Sequence, residues 1–84
     1  MNKAHIIMSN NVSYSAIHTF TVVAHELSFT RAAEILHITP SAVSHQMKLL
    51  EHQLQVSLFY RQSKGVRLTL AGKTLQQHAT SGMR

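Results

Sequence analysis

The segment from Ser28 to Glu51 constrains the fold of this chain more than any other. Phe29, Ala32, Ala33 and Leu36 recur there at the spacing of one helical face, and Val43, Met47, Leu50 and Leu54 recur in the same way after a break. The break, His37-Ile38-Thr39, has room only for a turn, with Ile38 expected between the two helices. Thr39 is a suitable N-cap, and Pro40 suits the first helical position because the amide it lacks would be unpaired there anyway. Ser28 can cap the earlier helix, whose paired alanines let another helix approach closely.

The later helix, expected from Pro40 to about Leu54, carries a second stripe. Ser41, Ser44, His45 and Lys48 follow one another at helical spacing and lie off the apolar face. A polar stripe on a helix is usually just a solvated face. This one combines short hydroxyls, an imidazole and an ammonium with no acid, and a preceding helix braces it, so it fits a DNA major groove. The expectation is a DNA-binding helix-turn-helix with Ser41, Ala42, Ser44, His45 and Lys48 lining the groove and Pro40 placing the helix. Ala42 suits a thymine methyl, and Lys48 is better placed for a phosphate than a base. Thr30 and Arg31 lie where a helix N-terminus can receive phosphate oxygens, although capping and surface roles account for Thr30 equally well.

The flanks complete a mainly α fold. Residues 1–12 are polar and aperiodic, which predicts a mobile arm. A first helix is expected from Ser13 or Ser15, with Ala16, Ile17, Phe20, Val23, Ala24 and Leu27 as one broad apolar face. After Leu54, the runs Leu58–Arg61 and Val66–Leu68 flank Gln62-Ser63-Lys64-Gly65 and predict a β-hairpin, the wing of a winged helix, with Lys64 at its tip. Arg61, Lys64 and Arg67 are its expected DNA-binding cations, and Lys64 could equally stay in solvent. Thr69 can cap a further helix with Leu70, Leu75 and Ala79 as its apolar positions, which Gly72 weakens and Gly82 keeps short.

Charge agrees with a polyanionic partner. The net charge is +5, and the five cations Arg61, Lys64, Arg67, Lys73 and Arg84 lie in a stretch, 52–84, that holds no acid. Without cysteine, no disulfide or thiolate metal site can form. His25-Glu26 opens like a zinc-protease motif, but Phe29 stands where the second histidine is needed, so neither metal nor cofactor is expected. No nucleophile–base–acid set or carboxylate pair has a catalytic context, which argues against an enzyme. Ile6-Ile7-Met8 is too short for a signal-peptide core and no run spans a membrane, so a cytoplasmic protein is expected.

Phe20, Ser28-Phe-Thr-Arg-Ala-Ala33, Pro40-Ser-Ala-Val-Ser-His-Gln46, Leu50-Glu51, Leu58-Phe59 with Arg61, and Leu68-Thr69 with Gly72 together resemble the N-terminal domain of the LysR-type bacterial transcriptional regulators. Ala42-Val-Ser-His-Gln46 is most similar to the branch with activators of glycine cleavage, β-lactamase and D-serine genes. The resemblance implies a winged helix-turn-helix of three helices and a two-stranded wing over residues 13–69, followed by the start of a linker helix over 70–84. It also implies a homodimer through that linker on double-stranded DNA bearing an inverted repeat, and the few apolar residues after Thr69 predict that this dimer is weak. It further implies that an effector-binding domain is missing, the chain being either a piece of a longer regulator or a naturally short product. Two positions depart from the family pattern. Gln55 stands where glycine usually ends the third helix, at a cost of about 1 kcal/mol if it adopts positive φ, which leaves the helix end open. His45 replaces a frequent arginine and offers one hydrogen bond where arginine offers a fork. The alternative to DNA recognition is a winged helix that docks on a protein, which would lack salt-sensitive affinity for duplex. Sequence-indifferent coating of DNA would show itself by equal binding to scrambled duplex.

Overall fold

A computed structural model of the chain describes residues 12–82, and within them each helix begins on a hydroxyl. Helix α1 spans Tyr14–Glu26, and Ser13 accepts a hydrogen bond from the Ala16 amide at 3.0 Å. Helix α2 spans Phe29–Leu36, with Ser28 accepting from Arg31 N–H at 3.1 Å. Helix α3 spans Pro40–Leu54, with Thr39 accepting from Ala42 N–H at 3.1 Å. Strands β1 (Phe59–Arg61) and β2 (Val66–Leu68) form an antiparallel hairpin in which Tyr60 pairs with Arg67, and α4 follows over Leu70–Gly82. The result is the expected mainly α winged helix.

The first three helices all end on a non-glycine residue in the left-handed region, Leu27 (φ 54), His37 (φ 60) and Gln55 (φ 57). At Gln55 the outcome left open by the sequence is a left-handed cap without glycine, its amide directed at the carbonyls of Glu51 and His52. The strain, on the order of 1 kcal/mol per residue, is offset because each cap reconnects carbonyls that would otherwise lack a partner. A left-handed residue followed at once by an extended one, Leu27 then Ser28, folds α2 sharply back on α1.

The core gathers Phe20, Val23, Ala24, Ala32, Ala33, Val43, Met47, Leu50, Leu58, Phe59 and Val66, all buried. Phe20, Ala33, Val43 and Leu50 are therefore where the helical spacing put them. Leu36 and Leu54, expected on the apolar faces, are half-buried. Ile38 is a correction: it is 40% exposed and does not fill the space between α2 and α3. The small Ala32 and Ala33 bring α3 close, and only the Ile38 backbone turns inward, donating to the Ala33 carbonyl at 3.1 Å. Leu27 is likewise 43% exposed, because its left-handed backbone takes it off the α1 face. The expected arm lies outside the described residues except for Val12, which is buried against the core.

Two glycines allow close approaches. Gly65, at φ 87, closes the hairpin, and a Cβ there would lie 2.7 Å from the Leu27 carbonyl oxygen. The same oxygen accepts the Val66 amide at 3.2 Å, so the wing is pinned to the end of α1. Gly72 lets α4 press on the Leu58 carbonyl, where any Cβ would overlap it. Thr69 joins this seam: its hydroxyl accepts from Gly72 N–H at 3.0 Å and donates to the Ser57 carbonyl at 2.7 Å. Along α4, Leu70 is exposed while Leu75 packs half-buried against the core, so the expected apolar positions do not form one free stripe.

Candidate nucleic-acid interface

The outer face of α3 is built by the same periodicity that buries its inner face. With Val43, Met47 and Leu50 turned inward, Ser41, His45 and Lys48 stand exposed and Ser44 is half-buried at the edge of the stripe. Pro40 is exposed at the start of the helix, and Ala42 is half-buried with its amide capped by Thr39. His52, seven residues after His45 and also exposed, extends the stripe and was not singled out from the sequence. From Ser41 to Lys48 the stripe is polar and holds no acid. Such a surface can enter a groove and offer donors and acceptors to base edges.

Thr30 and Arg31 are exposed in the first turn of α2. First-turn amides of a helix lack partners within it, and Ser28 meets one of them. Thr30 lines a shallow depression with Ser28, Phe29, Arg61, Gln62 and Gly65, so the start of α2 and the wing root share one surface. Arg31 is held loosely, 3.7 Å from carboxylate oxygens of both Glu26 and Glu34, with its side chain 65% exposed. Pairs this exposed contribute little, and the guanidinium can turn to another anion at small cost.

The wing separates its three cations. Lys64 is exposed in the hairpin loop. Arg67 is exposed on β2 but borders a different hollow, shared with Leu27, Lys73 and Gln76. Arg61 is also exposed but engaged: its Nη2 is 3.2 Å from Glu51 Oε1, and its guanidinium carbon lies 5.1 Å from the centre of the Phe29 ring. That ring meets Phe59 edge-on at 5.9 Å, and Phe59 in turn meets Phe20 at 5.5 Å. Glu51 and Phe29 are partners that helical spacing could not reveal. The one available signal was that Glu51 is the last acid in the chain, shortly before an isolated run of cations.

The three glutamates are all engaged, Glu26 with His25 and Arg31, Glu34 with Arg31, and Glu51 with Arg61. Lys48, Lys64, Arg67 and Lys73 have no carboxylate partner among the described residues and set a positive potential over α3, the wing and the start of α4. Among the described residues no cluster of histidine and acidic side chains could hold a metal ion, and no helix is long and apolar enough to cross a membrane.

Residues 14–73 match the family model described as bacterial regulatory helix-turn-helix protein, lysR family. The chain is 47% identical over 64 residues to the HTH-type transcriptional regulator DsdC of Escherichia coli (strain K12), covering 76% of this chain and 21% of that protein. It is 49% identical over 61 residues to the HTH-type transcriptional activator AmpR of Pseudomonas aeruginosa, covering 73% and 21%. Its structure resembles that of the CbnR_DBD-DNA complex with a TM-score of 0.82 and 29% identity, over 86% of this chain and 83% of that one. The chain spans about a quarter or less of the length of the curated relatives it matches.

Proposed function

The chain belongs to the lysR family of bacterial regulatory helix-turn-helix proteins, and from that premise we propose that it binds specific sequences in double-stranded DNA as the reading head of a transcriptional regulator. The observation that carries this is the acid-free stripe of Ser41, Ser44, His45 and Lys48, presented on α3 and braced from behind by α2. Ser41, Ala42, Ser44 and His45 read base edges in the major groove, and Pro40 sets where the helix enters. Lys48, the first turn of α2 with Thr30 and Arg31, and the wing cations Lys64 and Arg67 hold phosphates and fix the register. Binding, rather than catalysis, is the proposed activity, exercised in the cytoplasm. Two copies, paired through α4, would address an inverted repeat.

Selection of bound sequences from random duplexes, followed by titration of the winner at several salt concentrations, tests this reading. An enriched inverted repeat is expected, with affinity falling steeply as salt rises. Each phosphate contact contributes a slope of about −0.9 in log affinity against log salt, so the four proposed phosphate cations, Arg31, Lys48, Lys64 and Arg67, together give a slope of about −3.6 per copy. Equal binding to selected and scrambled duplex would remove the sequence-reading role of α3. No salt-sensitive binding to either would favour docking on a protein.

A further inference from the structure

Glu51 lies on the flank of the outward stripe of α3, two helical turns beyond Ser44, where a lone carboxylate would repel an approaching phosphate. It is not alone. Its Oε2 accepts the amides of Leu58 at 2.7 Å and Phe59 at 3.2 Å, and its Oε1 accepts Arg61 Nη2 at 3.2 Å. The carboxylate is mostly shielded, with its side chain 16% exposed, and hydrogen bonds to an ionised group are roughly twice as strong as neutral ones. One side chain of α3 therefore receives three donors from the first residues of the wing and the loop leading into it. Arg61 extends the connection to α2 by lying over Phe29, whose ring meets Phe59 on β1. Helix α3, helix α2 and the wing are joined at a single ion pair.

We propose that Glu51 and Arg61 form a positioning unit that fixes the angle of the wing to α3, so that Lys64 and the α3 stripe meet one duplex together. Arg61 is then a positioning residue acting through Glu51 and Phe29, not the phosphate contact expected from the sequence. The geometry explains why the arginine's charge is neutralised inside a basic surface, and why the chain's last acid borders its recognition stripe. This inference rests on the duplex-binding reading given above.

The sign of one substitution separates positioning from simple electrostatics. Glu51→Gln keeps a carbonyl for the wing amides, breaks the ion pair and raises the net charge by one. If Glu51 were only a surface charge, the variant would bind duplex as well as wild type or better. The positioning role predicts that it binds the selected duplex roughly tenfold more weakly, with a cooperative melt retained. It also predicts that Lys64→Ala costs less in the Glu51→Gln background than in wild type, because Lys64 is already misplaced. Arg61→Lys keeps the charge but loses the fork and the planar stack, and is expected to bind as poorly as Arg61→Gln. Wild-type or tighter binding by Glu51→Gln, additive effects with Lys64→Ala, or full function in Arg61→Lys would each overturn the proposal. Amide exchange at Leu58 and Phe59 in the free chain reads the latch without DNA. It is expected to quicken in Glu51→Gln, and unchanged rates would overturn the latch whatever the binding data. Failure of the wild-type chain to bind any duplex, with those amides still loosened in the variant, would overturn the duplex reading and not the latch.

Discussion

At the scale of residues, the proposed division between reading and gripping rests on what each side chain can discriminate. His45 projects from α3 with one hydrogen bond to offer at a time, which distinguishes bases, whereas Lys64 is a point charge in a loop and attracts phosphates of any sequence. His45→Ala is expected to cost about 1–3 kcal/mol on the selected site and much less on random duplex, while Lys64→Ala should weaken both by similar factors and flatten the salt slope by about one unit. Competition titrations on the two duplexes check this, and identical patterns for the two variants would erase the distinction. Gln55 offers a test away from the interface. It is exposed and holds φ 57, a conformation that glycine adopts without a Cβ penalty. Gln55→Gly should stabilise the fold by up to about 1 kcal/mol, less any gain in unfolded-chain entropy, and thermal melting should show a raised midpoint.

Among the elements, the decisive contacts are backbone approaches between neighbours. The seam where α4 leaves the wing shows two opposing effects at Gly72. Alanine is the better helix former by about 1 kcal/mol, so propensity alone predicts that Gly72→Ala stabilises α4. The added Cβ, however, would overlap the Leu58 carbonyl and lie 2.9 Å from a Leu68 methyl. A backbone carbonyl already bonded to Thr69 N–H at 3.0 Å cannot step aside without opening the seam. Overpacking of about 1–3 kcal/mol should win, and the variant is expected to melt lower than wild type. A higher melting point would mean that α4 sits farther from the wing than the structure places it. Helix propensity by itself marks Gly72 as a weak point, whereas the Leu58 carbonyl makes its missing side chain a requirement.

At the scale of the whole molecule, the proposed pairing of two copies falls to α4. Helix α4 offers Leu70, 81% exposed, but Leu75 is already partly used by its own core. Full burial of one large apolar side chain from each copy yields roughly 3–6 kcal/mol in total, barely offsetting an association cost of at least about 4 kcal/mol. The expected state of this chain is a weak dimer, mostly monomeric at micromolar concentration, that assembles cooperatively on a full site. Sedimentation of the free chain should give mainly monomer. A tight dimer without DNA would show that further surface joins the interface, with the exposed Val56 beside Leu70 the first candidate.

The sequence by itself determined what depends on neighbours within a turn or two. Helical periodicity separates Val43, Met47 and Leu50 from Ser41, His45 and Lys48, and hydroxyls at Ser13, Ser28 and Thr39 mark the helix starts, because capping bonds span three residues. The wing was legible in the same way, from two short runs around Gly65. Only the tertiary structure decided which residues meet across elements. It paired Arg61 with Glu51, turned Ile38 outward, tucked Leu75 inward and made Gly72 a point of contact. It also decided that Leu27, His37 and Gln55 take left-handed caps that their side chains disfavour. Local preference in each of these places is worth about 1 kcal/mol, and the packing of helices and wing around one core outweighs it.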